Sequence, residues 1–286
     1  MNKRIITVAK RLALEKAGYF SLNSSILSIC KEVGVGRVIG KKIYLSTQDL
    51  LAIEKYFSYK LKQPLLKIDL KKEHRLEAAL GGYDEKWATF AVFADLLNFA
   101  SQGDLLPLKD ENVVIPKNCV LSTSLQNLDL TRFRRLIVVE NGEVLQHLDL
   151  LEEILPDEFK KSLVVYRGSG SNHRSLISLI SNLSPGIQLG LFCDYDAAGL
   201  GIAQSLSRHF KDSSYILVPK VRDEKLSRLS KEQCYADQLH ILVNLLAKEA
   251  ISYNIRNLAL DLHKFAFAVM QEHMLANKIA LQAYEI

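Results

Sequence analysis

The feature that most constrains the fold is a series of short apolar segments alternating with helical segments between residues 134 and 219. Uninterrupted apolar segments are typical of strands buried on both faces, and helices between them imply that consecutive strands run parallel. The sequence therefore predicts an α/β unit with a parallel sheet. The predicted strands are Leu136–Val139, Leu163–Tyr166, Ile187–Cys193 and Tyr215–Val218.

Polar residues stand at the ends of three of these predicted strands. Glu140 follows the first, Arg167 and a Gly-Ser-Gly turn follow the second, and Asp194 and Asp196 follow the third. Ligands of open α/β sheets bind beyond the carboxyl ends of the strands, so we expect these residues to converge on one edge. The two aspartates should point to the same side, because side chains of extended chain repeat every two residues.

Three carboxylates that converge on one edge repel one another unless a cation neutralises them. Oxygen ligands suit Mg²⁺ or Mn²⁺, so Glu140, Asp194 and Asp196 are predicted as metal ligands and catalytic residues. Two other roles stay open: Glu140 as a general acid or base, and Asp196 as the cap of a helix starting at Ala197. Arg167, Ser169 and Gly170 are predicted to bind phosphate.

The charge of the chain is unevenly distributed. Residues 1–75 hold 16 Lys and Arg against 6 Asp and Glu, a net +10, whereas the remaining 21 basic and 26 acidic residues give −5. A basic region beside an acidic one is common in proteins that grip a polyanion with one domain and act on it with another. DNA is therefore the predicted partner, with Arg37, Lys41 and Lys42 of a basic hairpin as contacts.

Segment patterns predict three regions. Residues 1–62 combine helices with the hairpin at 35–45, an order compatible with a mostly helical, winged-helix-like nucleic-acid-binding domain. Residues 63–133 are predicted as a helical connecting region, with helices over about 71–81 and 84–100. Residues 134–286 form the α/β domain, and the chain is predicted to be helical from about 239 to its end.

No apolar run reaches the roughly 18 residues that a membrane span needs, and no signal peptide is recognisable at the start. The four cysteines are scattered without paired spacing, which argues against a zinc site or a disulfide framework. A cytoplasmic location without membrane attachment is the expectation.

The segments Val138-Val139-Glu140-Asn141 and Phe192-Cys193-Asp194-Tyr195-Asp196-Ala197-Ala198-Gly199-Leu200 resemble the Toprim signature, over about 135–219. The family resemblance implies a Rossmann-like Toprim domain with metal-binding roles for Glu140, Asp194 and Asp196. It is most similar to the topoisomerase VI A subunit superfamily, and within it to the nuclease subunit of Wadjet-type SMC plasmid-defence systems. That resemblance implies a homodimer with SMC-like ATPase and kleisin-type partners, acting in anti-plasmid or anti-phage defence.

The metal site and the family resemblance together predict a divalent-metal-dependent DNA endonuclease that hydrolyses phosphodiester bonds. Three alternatives to this function remain. Relatives of the topoisomerase VI A subunit cut DNA with a tyrosine, and Tyr19, Tyr44, Tyr56 and Tyr59 are available without matching the family's nucleophile. A Toprim module that binds DNA or a partner without cutting is the second. A phosphate-binding receiver-like protein is the third. For Glu272 two places stay open: a solvated helix face, which is the preferred prediction, and a further carboxylate at the metal site from a C-terminal helix.

Overall fold

The computed structural model describes residues 3–68, 93 and 95–286. The chain divides into two compact units, Met1–Val92 and Phe93–Ile286. The molecule is a mixed α/β protein, with one hydrophobic core in each unit. Among the helices of the described residues, none combines the length and apolar character needed to cross a bilayer.

The first unit joins helices to a small antiparallel sheet of strand order β1-β3-β2. Its core includes Ile6, Ile29 and Phe57, all fully buried. Each such side chain contributes about 1.5–3 kcal/mol through burial. Its elements are α1 (Lys3–Ala13), β1 (Gly18–Ser21), α2 (Ser24–Val33), β2 (Arg37–Ile39), β3 (Lys42–Leu45) and α3 (Thr47–Lys60).

The helix boundaries of this unit follow from local capping. Asn23 accepts a hydrogen bond from the Ile26 amide at the start of α2, and Gly34 ends that helix at φ 77°. Ser46 and Asp49 form a reciprocal capping box at the start of α3. These side chains satisfy amides that have no partner inside the helix. The predicted hairpin is confirmed by the pairing of β2 with β3, whereas β1 was not predicted.

The second unit is built on a seven-stranded sheet of order β12-β11-β10-β8-β9-β4-β7. The four central strands are parallel, as predicted, and antiparallel strands flank them on both sides. The strands are β4 (Leu96–Ser101), β7 (Leu121–Ser124), β8 (Arg135–Val139), β9 (Leu163–Tyr166), β10 (Gln188–Phe192), β11 (Ser214–Pro219) and β12 (Leu281–Glu285), and a separate ribbon joins β5 (Leu106–Pro107) and β6 (Asn112–Val113).

Helices connect and follow these strands. They are α4 (Leu148–Ile154), α5 (Ser171–Asn182), α6 (Ala197–Ser207), α7 (Glu224–Leu229), α8 (Glu232–Leu246), α9 (Tyr253–Phe265) and α10 (Gln271–Ala276). A 3₁₀ segment, Gly142–Gln146, precedes α4.

Two sequence-based expectations are wrong. The last residues of the predicted helix 84–100 form strand β4 instead, since Leu96–Ser101 pairs with β9 and β7. Residues 84–92 of that prediction, and the predicted helix 71–81, lie outside the described residues. The chain after residue 239 is not helical to its end, because Leu281–Glu285 pairs antiparallel with β11. Both strands gain their hydrogen bonds from distant partners, which local periodicity does not report. The sheet therefore begins before the predicted domain start at 134.

Candidate metal and phosphate site

Three adjacent strands end side by side at the carboxyl edge of the sheet. Val139, Tyr166 and Phe192 are aligned in the register of β9, β8 and β10. The backbone ladder continues one step further, because the Glu140 amide donates to the Phe192 carbonyl at 3.2 Å and the Arg167 amide to Val139 at 2.8 Å. The residues that follow these strands therefore meet at one edge, as expected from their spacing.

The Glu140 carboxylate lies between the Arg167 guanidinium group and the Asp194 backbone amide. Its Oε1 accepts from Arg167 Nη2 at 3.3 Å, and its Oε2 accepts from the Asp194 amide at 3.3 Å. Burial raises the pKa of Glu140; the positive charge of Arg167 opposes this, whereas the charges of Asp196 and Glu272 raise it further. The first predicted acid is thus in direct contact with the backbone of the second.

Asp194 is a half-buried carboxylate with other carboxylates nearby. Its Oδ1 accepts from the Gln271 amide at 2.7 Å. Burial raises the pKa of Asp194 to about 7, opposed by that hydrogen bond and reinforced by the charges of Glu140, Asp196 and Glu272. Three neighbouring carboxylates consequently lie close enough to Asp194 to disfavour its ionised form.

Asp196 has the capping role that the sequence left open. Its Oδ1 accepts from the Gly199 amide at 2.8 Å at the start of α6. Its Oδ2 accepts from Gln238 Nε2 at 2.8 Å, and the side chain is only 3% exposed. Both carboxylate oxygens are therefore used within the protein, and Asp196 fixes the turn that presents Asp194.

Sequence reasoning missed the role of Gln271 in α10. Gln271 is fully buried, accepts from the Asn141 amide at 2.8 Å and donates to the Phe192 carbonyl at 2.7 Å. Next to it, Glu272 accepts a hydrogen bond from the Asn141 side-chain amide. Glu272 is partly exposed and lies near enough for its charge to act on Glu140 and Asp194, which agrees with the alternative of a further carboxylate beside the site. About 130 residues separate Asn141 from these partners, so no local pattern indicates the contact.

The predicted phosphate-binding turn follows β9. Gly168 and Gly170 have φ of 70° and 60°, which favour glycine, while Ser169 and Gly170 are exposed. Arg167 Nε and His173 Nδ1 are buried and have no hydrogen-bond partner among the described residues. Gly170 directly precedes α5, and the Asn172 side-chain amide in its first turn donates to the Phe93 and Leu96 carbonyls.

The donor chemistry fits a hard divalent cation, although the ligands are not gathered into a ready-made centre. Within the described residues, no set of three His, Cys, Asp or Glu side chains is arranged to hold a metal. The raised pKa values of Glu140 and Asp194 nevertheless mark carboxylates that a nearby cation would return to the ionised state. Glu140 and Asp194 are the ligands that fit, with Glu272 beside them.

A family model described as "Domain of unknown function (DUF7281)" matches residues 94–283. The chain belongs to this family. No curated protein matches the chain. The DUF7281 region starts one residue after the second unit begins at Phe93, and it contains Glu140, Asp194 and Glu272.

The predicted DNA contacts of the hairpin lie outside the DUF7281 region. Arg37, Lys41 and Lys42 are all exposed, and no salt bridge joins them to another described residue. These three residues belong to the first unit, whereas the carboxyl cluster belongs to the second.

The four tyrosines that were considered as nucleophiles also belong to the first unit. Tyr56 donates a hydrogen bond to Glu32 at 3.0 Å, and Tyr59 is 87% exposed on the last turn of α3. Tyr19 and Tyr44 are exposed on the small sheet.

Proposed function

We propose that this DUF7281 protein is a divalent-metal-dependent nuclease of the Toprim type that hydrolyses phosphodiester bonds in DNA. The observation that carries the proposal is the contact between Glu140 and Asp194 at the carboxyl edge of the parallel strands. Both carboxyl groups have raised pKa values, and a guanidinium group lies beside them. Such perturbed groups concentrate at functional sites.

Each residue of the cluster has a distinct task in this proposal. Glu140 and Asp194 would hold Mg²⁺ or Mn²⁺, which supplies Lewis-acid polarisation of a phosphoryl oxygen and lowers the pKa of water. Arg167 offsets phosphate charge, since its Nε has no partner in the part of the chain that the structure describes while its Nη2 orients Glu140. The exposed Ser169 and Gly170 offer backbone amides to a second phosphate oxygen.

Asp196 and Gln271 act as positioning residues rather than as ligands. Asp196 caps α6 through the Gly199 amide, and Gln271 joins the Asp194 carboxylate to the end of β10. Both hold Asp194 in one orientation, which supports a preorganised site. Glu140, when not engaged by the cation, is the group nearest to accept a proton from the attacking water.

The first unit is proposed to hold the DNA in a winged-helix-like manner. Its antiparallel hairpin carries exposed Arg37, Lys41 and Lys42, and phosphate contacts of this kind provide affinity without sequence preference. By resemblance to the Wadjet nuclease subunit, we further propose a cytoplasmic homodimer. Its target would be chosen by SMC-like ATPase and kleisin-type subunits in plasmid or phage defence.

One observation favours a second candidate, a DNA-binding module that does not cut. Asp196 is committed to a helix cap, and within the described part of the chain no three ligand side chains are grouped for a metal. A site that never assembles around a cation would leave the basic first unit as the functional part. The two candidates differ in whether a divalent ion changes the DNA.

Incubation of supercoiled plasmid with the full chain and Mn²⁺ or Mg²⁺ tests the nuclease proposal. We expect nicked or linear product from wild type, and a loss of more than about 100-fold in Asp194→Ala and Glu140→Gln, comparable to removing a transition-state-stabilising group. Asp110→Ala is the control, because Asp110 is exposed and distant in sequence from the cluster. If wild type leaves the plasmid intact even with SMC-type partners added, the nuclease proposal is rejected and the non-cutting DNA-binding module is retained. A protein–DNA adduct that survives denaturation points to tyrosine chemistry.

A further inference from the structure

One face of the small sheet in the first unit combines aromatic and basic side chains. Tyr19 pairs with Tyr44, and Tyr44 pairs with Arg37, so the three residues form one row across β1, β3 and β2. The next row on the same face contains Ser21, Lys42 and Ile39. We name these two rows, together with Lys41 at the hairpin turn, the aromatic–basic face.

The opposite face of this sheet packs on the core. Ile43 and Leu45 are buried at 1% and 0% exposure, and Phe20 packs against the same cluster. Side chains of a strand alternate between the two faces, so the residues on the aromatic–basic face are not needed for this core. Tyr19 is 61% exposed, Tyr44 38% and Ile39 47%. Adjacent exposed apolar side chains of this size mark binding surfaces.

The two tyrosines form a small stacking platform. Their ring centroids lie 5.2 Å apart with an interplanar angle of 56°. Arg37 continues the row, and the row spans about 10 Å at the usual spacing of neighbouring strands. Rings tilted in this way do not share a plane, so each tyrosine offers its own face to a base, and the width of the row suits a base on Tyr44 with its phosphate at Arg37. Aromatic rings bind bases in this way whatever the sequence, because every base has a π face.

The charge around the platform selects a polyanion. Arg37, Lys41 and Lys42 are exposed and form no salt bridge with a described residue. Residues 1–62 contain 12 Lys and Arg against 4 Asp and Glu, a net +8. Exposed cations that form no salt bridge with a described residue do not favour an apolar protein partner. They favour a nucleic acid, whose phosphates they would neutralise.

We infer that the aromatic–basic face binds the unpaired bases of single-stranded nucleic acid. Bases within a duplex present their faces to one another, so only an unpaired strand offers them to Tyr19 and Tyr44. The inference rests on the proposed function and specifies it: the chain recognises DNA that contains a single-stranded stretch. Lys41 and Lys42 supply the phosphate contacts that single and double strands share.

Fluorescence anisotropy of the full chain in EDTA, which prevents cleavage, tests this inference. The probes are a labelled 20-nucleotide single strand and the duplex of the same sequence. We expect Tyr19→Ala/Tyr44→Ala to weaken single-strand binding by about tenfold or more, from the usual worth of a base–aromatic stack. Duplex binding should change less than about twofold. Tyr59→Ala is the control, being a tyrosine on α3 that is more exposed than either Tyr19 or Tyr44.

Two further variants separate stacking from charge. Tyr19→Phe/Tyr44→Phe keeps both rings and should bind the single strand as wild type does. Arg37→Ala/Lys41→Ala/Lys42→Ala should weaken both probes and flatten the salt dependence, whereas Lys55→Ala, an exposed lysine of α3, should change little. Circular dichroism of each variant confirms that the unit stays folded.

The inference is overturned if the double alanine variant binds the single strand as tightly as wild type, or loses both probes equally. It is also overturned if the phenylalanine variant is as weak as the alanine variant, because the hydroxyl groups would then matter more than the rings. Retained duplex binding without any single-strand effect removes this inference alone. Failure of wild type to bind either probe removes it together with the proposed DNA-binding role.

Discussion

The carboxyl cluster of the second unit and the aromatic–basic face of the first unit are built in opposite ways. In the cluster, Glu140, Asp194 and Asp196 are mostly buried, and each accepts a hydrogen bond from a distant part of the chain. On the face, Tyr19 and Arg37 are exposed and their side chains are not used by the core. A substitution in the cluster should therefore alter folding and chemistry together, whereas one on the face should alter binding alone.

The largest expected effect tests the rigidity of the cluster through Gly199 on α6. A Cβ atom at this position would lie 2.0 Å from the Asp194 backbone oxygen, so the Asp-Tyr-Asp turn would have to move. We expect Gly199→Ala to lower the free energy of unfolding by about 3 kcal/mol, at the upper end for overpacking, and to abolish cleavage. Urea unfolding followed by circular dichroism measures the first effect, and the plasmid assay measures the second.

Gly201→Ala, two residues along the same helix, is the matched control. A Cβ at Gly201 meets nothing within 4 Å, so this change should be neutral or stabilising by up to about 1 kcal/mol from helix propensity. Equal destabilisation by both substitutions would mean that the close approach of α6 to Asp194 is not what limits this position.

The contrast between the two regions also explains what the sequence can predict. The parallel strands β8 to β11 are predictable because their apolar runs are local, and α2 and α3 because their caps lie within three residues of the amides they satisfy. Glu140 and Asp194 are predictable because both directly follow strand ends. The exposed hairpin residues Arg37, Lys41 and Lys42 follow from the same local reasoning.

The parts that escaped prediction depend on contacts between distant segments. Gln271 reaches Phe192 and Asn141 from 79 and 130 residues away, and nothing in its neighbourhood distinguishes it from a solvent-exposed glutamine. Strand β12 is short and mixed in polarity, and its identity comes from pairing with β11. The role of Asp196 as cap or ligand also depends on Gln238 of α8, which no local spacing reveals.

An intermediate effect is expected from Gln271→Leu, which keeps the side-chain volume but removes the polar group. The Asn141 amide would lose its partner in a partly buried place, and the Phe192 carbonyl would keep only the Glu140 amide, which costs about 1–3 kcal/mol of folding free energy. Cleavage should also weaken, because α10 positions Asp194. Gln282→Leu, an exposed glutamine of β12, is the control for urea unfolding and the plasmid assay. If Gln271→Leu unfolds at the same urea concentration as wild type, the hydrogen bonds of Gln271 do not stabilise the fold as expected.

The smallest expected effect concerns the charge of Asp194 in cation-free protein. The pKa of Asp194 rises from its ordinary 3.8 to about 7 on folding, so the folded state binds more protons than the unfolded state between these values. Stability from this group therefore falls as the pH rises above 3.8, and the cost is complete above about 7. We expect Asp194→Asn to be more stable than wild type by about 1–2 kcal/mol at pH 8 in EDTA, since coupled neighbours share the shift.

The same variant sharpens the comparison when Mn²⁺ is added. A cation that binds the folded wild-type cluster raises its melting temperature, and more so at pH 8 than at pH 5, where protons compete for Asp194. Asp194→Asn should show little of this rise, whereas Asp110→Asn, an exposed aspartate, should respond as wild type does. Melting curves at both pH values measure the effect. Because the aromatic–basic face has no carboxylate, Tyr19→Ala/Tyr44→Ala should keep the full response to Mn²⁺, and its loss there would show that the two regions are not independent.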